Sequence, residues 1–113
     1  KPYCLFVGRD ADYKCVDELR KMCRMAGLNF FHAKGVPEGV LYSLYTGAAV
    51  YATASIWEGY DLPVVEAQSF NVPVVCWDIG RHRKLVKKGC VVPYGNKDLF
   101  VARLKQFGAE DKK

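Results

Sequence analysis

No apolar run in these 113 residues approaches the ~20 residues that a helix needs to cross a bilayer. There is no C-x-x-C pair: the five cysteines, at 4, 15, 23, 76 and 90, are an odd and scattered set. That pattern argues against a disulfide framework and for reduced, mostly structural thiols in a cytoplasmic setting. Cys4 and Cys76 fall in strand-like runs, where a small thiol packs as a hydrophobe. Histidine is scarce, at two residues. Repeats, low-complexity tracts and internal linkers are also missing, which excludes solenoids and disordered tails. Neither an initiator Met nor a signal-peptide pattern opens the chain, and a strand-like run begins almost at once. The expectation is a piece of a longer protein, cut at a domain boundary.

Half the residues are apolar, so the chain is globular rather than disordered, and its length suits one domain. Such a chain buries roughly two-thirds of its unfolded surface. The net charge of +5 permits an anionic partner without choosing among phosphate, nucleic acid and membrane.

Five short apolar runs alternate with helical patterns. The runs are "YCLFVG" (3–8), "NFFHA" (29–33), "AVYATA" (49–54), "VPVVCW" (72–77) and "CVVP" (90–93). They are nearly continuous rather than alternating, as in strands covered on both faces. Between the first two, Val16, Leu19, Met22, Cys23 and Ala26 recur at helical spacing, with Gly27 as a stop. A second helix begins at Pro37 and runs through Val40, Leu41, Leu44 and Tyr45. A third has Pro63 at its first position and Asn71 as a left-handed terminator. "RHRKLVKKG" reads as a short basic helix or turn, and "KDLFVARLKQFG" closes the chain. Strand–helix alternation of this kind predicts a Rossmann-like, doubly wound parallel α/β sheet of about five strands, with helices on both faces.

In such sheets ligands bind beyond the carboxyl ends of the strands, at the point where the winding reverses. The stretch "SIWEGYDLPVVE" follows the third strand and runs into a helix. The helix start offers unpaired N–H groups and a positive dipole end, both suited to phosphate. Gly59 lets backbone approach a ligand closely, and Arg9 and Lys14, in the loop after the first strand, add positive charge. Glu66, about one turn into the helix, suits the vicinal hydroxyls of a ribose. Glu58, before the helix, can reach hydroxyls at the other end of the same ligand. A molecule with a ribose, a diphosphate and a second sugar spans both: a nucleotide sugar.

"EGYDLPVVEAQSFNVPVV" resembles the E-x7-E signature of the GT-B, family 4 glycosyltransferases, with its PVV tail. "FVGR" followed by Lys14 is similar to that family's strand-1 phosphate loop. "KGVPEGVLYSLYTGAAVYATAS" is similar to the stretch that leads into the signature. The resemblance covers nearly the whole chain, as the C-terminal, donor-binding half of a two-domain enzyme that retains anomeric configuration. It implies that Arg9 and Lys14 contact the donor diphosphate. Glu58 is then the catalytic-site carboxylate on the transferred sugar. Gly59, Tyr60 and Asp61 offer backbone N–H groups, and Glu66 holds the ribose. Backbone from Lys34 through Gly35 and Val36 meets the base. No cofactor and no metal are implied. The implied partners are the nucleotide sugar, the absent N-terminal acceptor-binding domain and an anionic or lipid-linked acceptor, with no nucleic acid. The implied location is the cytoplasm or the cytoplasmic face of a membrane.

The chain departs from the family pattern in places. Asp61 stands where Gly is commoner, bringing a negative charge near phosphate, and Asn71 stands where Gly precedes "VPVV". Arg81, His82 and Arg83 occupy a loop that is usually less basic. The segment between the first strand and "KGV" is short by one strand–helix unit, which predicts the strand order 2-1-3-4-5. His32 is expected to be packed in the core, and His82 to be solvated among its charged neighbours. For Trp57 and Tyr60, burial and stacking on a ligand are equally expected. "DAD" at 10–12 mimics the D-x-D metal motif of the GT-A fold, but sits between Arg9 and Lys14, which can neutralise phosphate themselves. Two other classes compete. A receiver-like flavodoxin-type signalling domain needs a phosphoacceptor Asp after the third strand, where this chain has Ser55. A non-catalytic nucleotide-sugar-binding module remains open.

Overall fold

The structure is a computed structural model, and it describes residues 2–57 and 60–109. In chain order the elements are β1 (Tyr3–Val7), a 3-10 turn (Asp12–Lys14), α1 (Val16–Met25), β2 (Asn29–Ala33) and α2 (Glu38–Gly47). There follow β3 (Val50–Thr53), α3 (Leu62–Ser69), β4 (Val74–Trp77), α4 (His82–Leu85), β5 (Gly89–Val92) and α5 (Lys97–Ala109). The strands form one parallel sheet in the order β2-β1-β3-β4-β5, as the short first crossover predicts. Helices cover both faces. α1 packs with α5, while α2 meets α3 where Tyr45 stacks on Phe70 at 5.3 Å.

The apolar runs became strands because a parallel sheet flanked by helices has no solvated face at its centre. β3 and β4 are buried at every residue. The expectation of cover on both faces fails at the two edges. In β2 Asn29 and Phe31 are exposed, and in β5 only Val92 is fully buried. An edge strand has a neighbour on one side alone, so its outer residues meet water. α1 buries Val16, Leu19, Met22 and Cys23, the predicted stripe. Val40 of α2 is exposed. Cys4 and Cys76 are buried as expected. None of the described helices is long and apolar enough to cross a membrane.

Two local devices fix the ends of β4 and β5. The amides of Asn71 and Val72 bond back to the carbonyls of Gln68 and Ala67. Asn71 takes φ +65°, so the turn that ends α3 is left-handed as predicted. Gly89 opens β5 at φ +129°, where a Cβ would sit 2.0 Å from the Val74 carbonyl oxygen.

Candidate functional site

The winding reverses between β1 and β3, so the loops after them face the same edge of the sheet. The loop after β1 is anchored to β2. Gly8 N–H donates to the Ala33 carbonyl at 3.0 Å. His32 Nε2 donates to the Gly8 carbonyl at 2.5 Å. His32 is thus packed as expected, against Phe6 and Phe30, and it also shapes the loop. Beside this anchor lies a cavity of about 180 Å³ whose lining includes Val7, Gly8, Arg9, Lys34, Gly35 and Val36. Gly35 takes φ +65° and has open space where a Cβ would be, so its backbone is bare to the cavity. Four predicted site residues, Arg9 and Lys34 to Val36, are therefore together.

Lys14 stands on the other limb of the same loop, which folds back onto the segment after β3. The Ile56 N–H donates to the Tyr13 carbonyl at 2.8 Å. The Tyr13 ring meets Trp57 edge-on at 5.6 Å. Lys14 Nζ lies over the Tyr13 ring, 5.2 Å from its centre. Ser55, buried, donates its hydroxyl to the Trp57 carbonyl at 3.1 Å. These contacts hold the chain leading to residue 58 against the β1 loop. Trp57 and Tyr60 are both exposed, at 69% and 60%, so each presents an aromatic face to this edge. Glu58 and Gly59 lie outside the described residues.

Glu66 projects from α3 toward α2. The phenol of Tyr45, itself buried, donates to Glu66 Oε1 at 3.0 Å. Burial, then that hydrogen bond, pushes the Tyr45 phenol far above its usual range. It therefore stays a donor at every physiological pH. One carboxylate oxygen, Oε1, is thereby fixed. Sequence reasoning took Tyr45 as a core residue only. Its partner is 21 residues away, a distance that helical periodicity does not report. Tyr45→Phe should leave the fold intact and weaken nucleoside diphosphate binding about three- to tenfold, because the lost hydrogen bond orients the Glu66 carboxylate without touching the ligand. Calorimetric titration of the variant measures it.

His82 corrects an expectation, and Asp61 is its partner. His82 is fully buried rather than solvated, and Asp61 is 6% exposed. His82 Nε2 lies 3.0 Å from Asp61 Oδ2, and Nδ1 lies 2.8 Å from the Trp77 carbonyl oxygen. A four-residue helix offers no periodicity from which that burial could be read. α3 begins at Leu62, so Pro63 is its second residue rather than its first.

Asp10 pairs with Lys34 at 3.0 Å, and the ammonium holds its carboxyl below the usual carboxylate range. Among the described residues no three His, Cys, Asp or Glu side chains converge as a metal set. A larger hollow of about 420 Å³ lies between Asp10, Asp12, Asp17 and Glu18. Its lining is acidic, and three of the four carboxylates are already paired with cations: Asp10 with Lys34, Asp17 with Arg20 and Glu18 with Lys97. Residues 81–88 carry five cations, equal to the whole net charge of +5. Arg83 pairs with Asp78. The backbone N–H groups of Lys87 and Lys88 both bond to Gln68 Oε1, which ties this basic stretch to α3.

The family model for glycosyl transferases group 1 matches residues 1–113. A 44-residue stretch is 43% identical to the O-antigen chain mannosyltransferase B of Escherichia coli, covering 39% of this chain and 12% of that protein. The S. aureus protein TarM, solved with Fondaparinux, alpha-GlcNAc-glycerol and UDP, superposes with a TM-score of 0.82. It is 16% identical, over 97% of this chain and 29% of its own. The lipopolysaccharide outer core galactosyltransferase WaaB gives 0.77 at 20% identity, over 96% and 41%. The pneumococcal O-GlcNAc transferase GtfA, solved with UDP and GlcNAc, gives 0.72 at 21%, over 92% and 28%. At these identities the structures establish a shared fold. The chain spans less than half the length of each of these proteins.

Proposed function

Because this chain belongs to the glycosyl transferases group 1 family, we propose that it is the donor-binding part of a retaining, family 4-type enzyme. In this reading it takes a nucleotide sugar at the carboxyl edge of β1 and β3. What supports it is a cavity lined by Arg9 and Lys34 to Val36, together with Lys14, a helix start and a fixed carboxylate on the segments that follow β1 and β3. The cavity at Arg9 and Lys34 to Val36 suits a planar base. Glu66, held by Tyr45, suits the ribose hydroxyls. The start of α3, with Arg9 and Lys14 on the facing loop, suits a diphosphate. The UDP in the TarM and GtfA structures supports this ligand class. Glu58, by its resemblance, meets the transferred sugar.

The acceptor site and the rest of the cleft then lie on a further domain. The five cations of 81–88 support an anionic or lipid-linked acceptor and a place at the cytoplasmic face of a membrane.

The test is calorimetric titration of this chain with UDP, GDP and ADP, each with and without EDTA. One of the three should bind, weakly, because half of the enclosing cleft is absent. Binding should persist in EDTA, because Arg9 and Lys14 supply the positive charge. Absence of binding by all three defeats the reading. Loss on chelation, restored by Mn²⁺ or Mg²⁺, assigns the phosphate charge to a metal at Asp10 and Asp12 instead.

A further inference from the structure

Asp61 is the N-cap residue of α3, yet its carboxylate makes no capping bond. Aspartate is among the residues that cap best, by accepting from the second or third N–H of the first turn. Here the carboxylate turns away to His82, 21 residues later. The Trp77 carbonyl can only accept, so His82 Nδ1 carries a proton. A second proton must lie between His82 Nε2 and Asp61 Oδ2, because two bare acceptors 3.0 Å apart would repel. Whichever atom holds that second proton, the pair carries no net charge. A buried carboxylate without such a partner is strongly disfavoured.

We propose that His82 is a positioning residue for the diphosphate end of the site, acting through Asp61. This rests on the donor reading above. By bonding the carboxylate, His82 keeps it off the first-turn amides of α3 and cancels its charge. The N–H of the exposed Leu62 is thereby left for an anion; Pro63 has none, and Val64 is fully buried. Without His82, Asp61 would cap its own helix and place a full negative charge where the phosphates bind. The histidine is what makes an acidic residue compatible with this position, where the related pattern has a glycine.

The probe is inorganic pyrophosphate, which is independent of the base, followed by the amide shift of Leu62 in NMR titrations. Wild-type chain should show a saturable shift. His82→Gln should weaken pyrophosphate at least fivefold. Adding Asp61→Gly to His82→Gln should restore affinity to within about twofold of wild type, which a merely structural histidine would not allow. If His82→Gln binds as wild type does, or if the double variant is no better than His82→Gln, the inference is overturned. Should His82→Gln not fold, the wild-type spectrum decides: two slowly exchanging downfield protons should appear, one on His82 Nδ1 and one between His82 Nε2 and Asp61 Oδ2. One proton alone leaves Asp61 fully charged and overturns the inference. Wild-type chain that takes up neither pyrophosphate nor any nucleoside diphosphate removes the donor reading, and the role of His82 with it. Binding that ignores His82 removes the role alone.

Discussion

Glu66→Gln should weaken the bare nucleoside diphosphate by roughly tenfold or more, since a hydrogen bond to a charged group is typically worth ~1.5–3 kcal/mol. The substitution isolates charge from shape. Glutamine keeps the side-chain length and still offers an oxygen to the Tyr45 phenol, which fixes Glu66 Oε1 at 3.0 Å. The helix position is therefore kept while the strong acceptor for two vicinal hydroxyls is lost. The loss should exceed that of Tyr45→Phe, because Tyr45 only orients the group that Glu66 supplies. Circular dichroism should be unchanged. Equal affinities of wild type and Glu66→Gln for the diphosphate that binds would remove Glu66 from the ligand, and with it the ribose assignment.

The parts of this molecule that sequence makes legible are those set by local, repeating demands. β2 falls on residues 29–33 as its apolar run predicts. β4 begins later than its run, because Val72 N–H is used to close α3 and Pro73 has no N–H to offer. The strand order follows from counting crossovers, and it places the loops of β1 and β3 on one edge. What sequence left unread are side-chain pairs between distant elements. Tyr45 with Glu66 and Asp61 with His82 each join residues 21 apart. Nothing in the local pattern around His82, set between Arg81 and Arg83, distinguishes a buried imidazole from a solvated one. Its burial comes from the Trp77 carbonyl and the Asp61 carboxylate, and both become its neighbours only once β4 and α3 are packed.

Glu58→Gln is expected to act on the other end of the ligand. Its flanking residues support this. Trp57 meets Tyr13 of the β1 loop, its carbonyl accepts from Ser55 of its own segment, and Tyr60, also exposed, follows. Glu66, by contrast, sits in α3 beyond the helix start that suits the diphosphate. The variant should therefore bind the bare nucleoside diphosphate within about twofold of wild type. It should lose the preference for the nucleotide sugar over the nucleotide, a change of roughly tenfold if one charged hydrogen bond to a sugar hydroxyl is removed. Titrating wild type, Glu58→Gln and Glu66→Gln with both ligands gives six affinities and separates the two carboxylates. Glu66→Gln should weaken nucleotide and nucleotide sugar alike, because both carry the ribose; Glu58→Gln should weaken only the second. If Glu58→Gln weakens the bare diphosphate as much as Glu66→Gln does, the two glutamates do not serve two ends of one ligand.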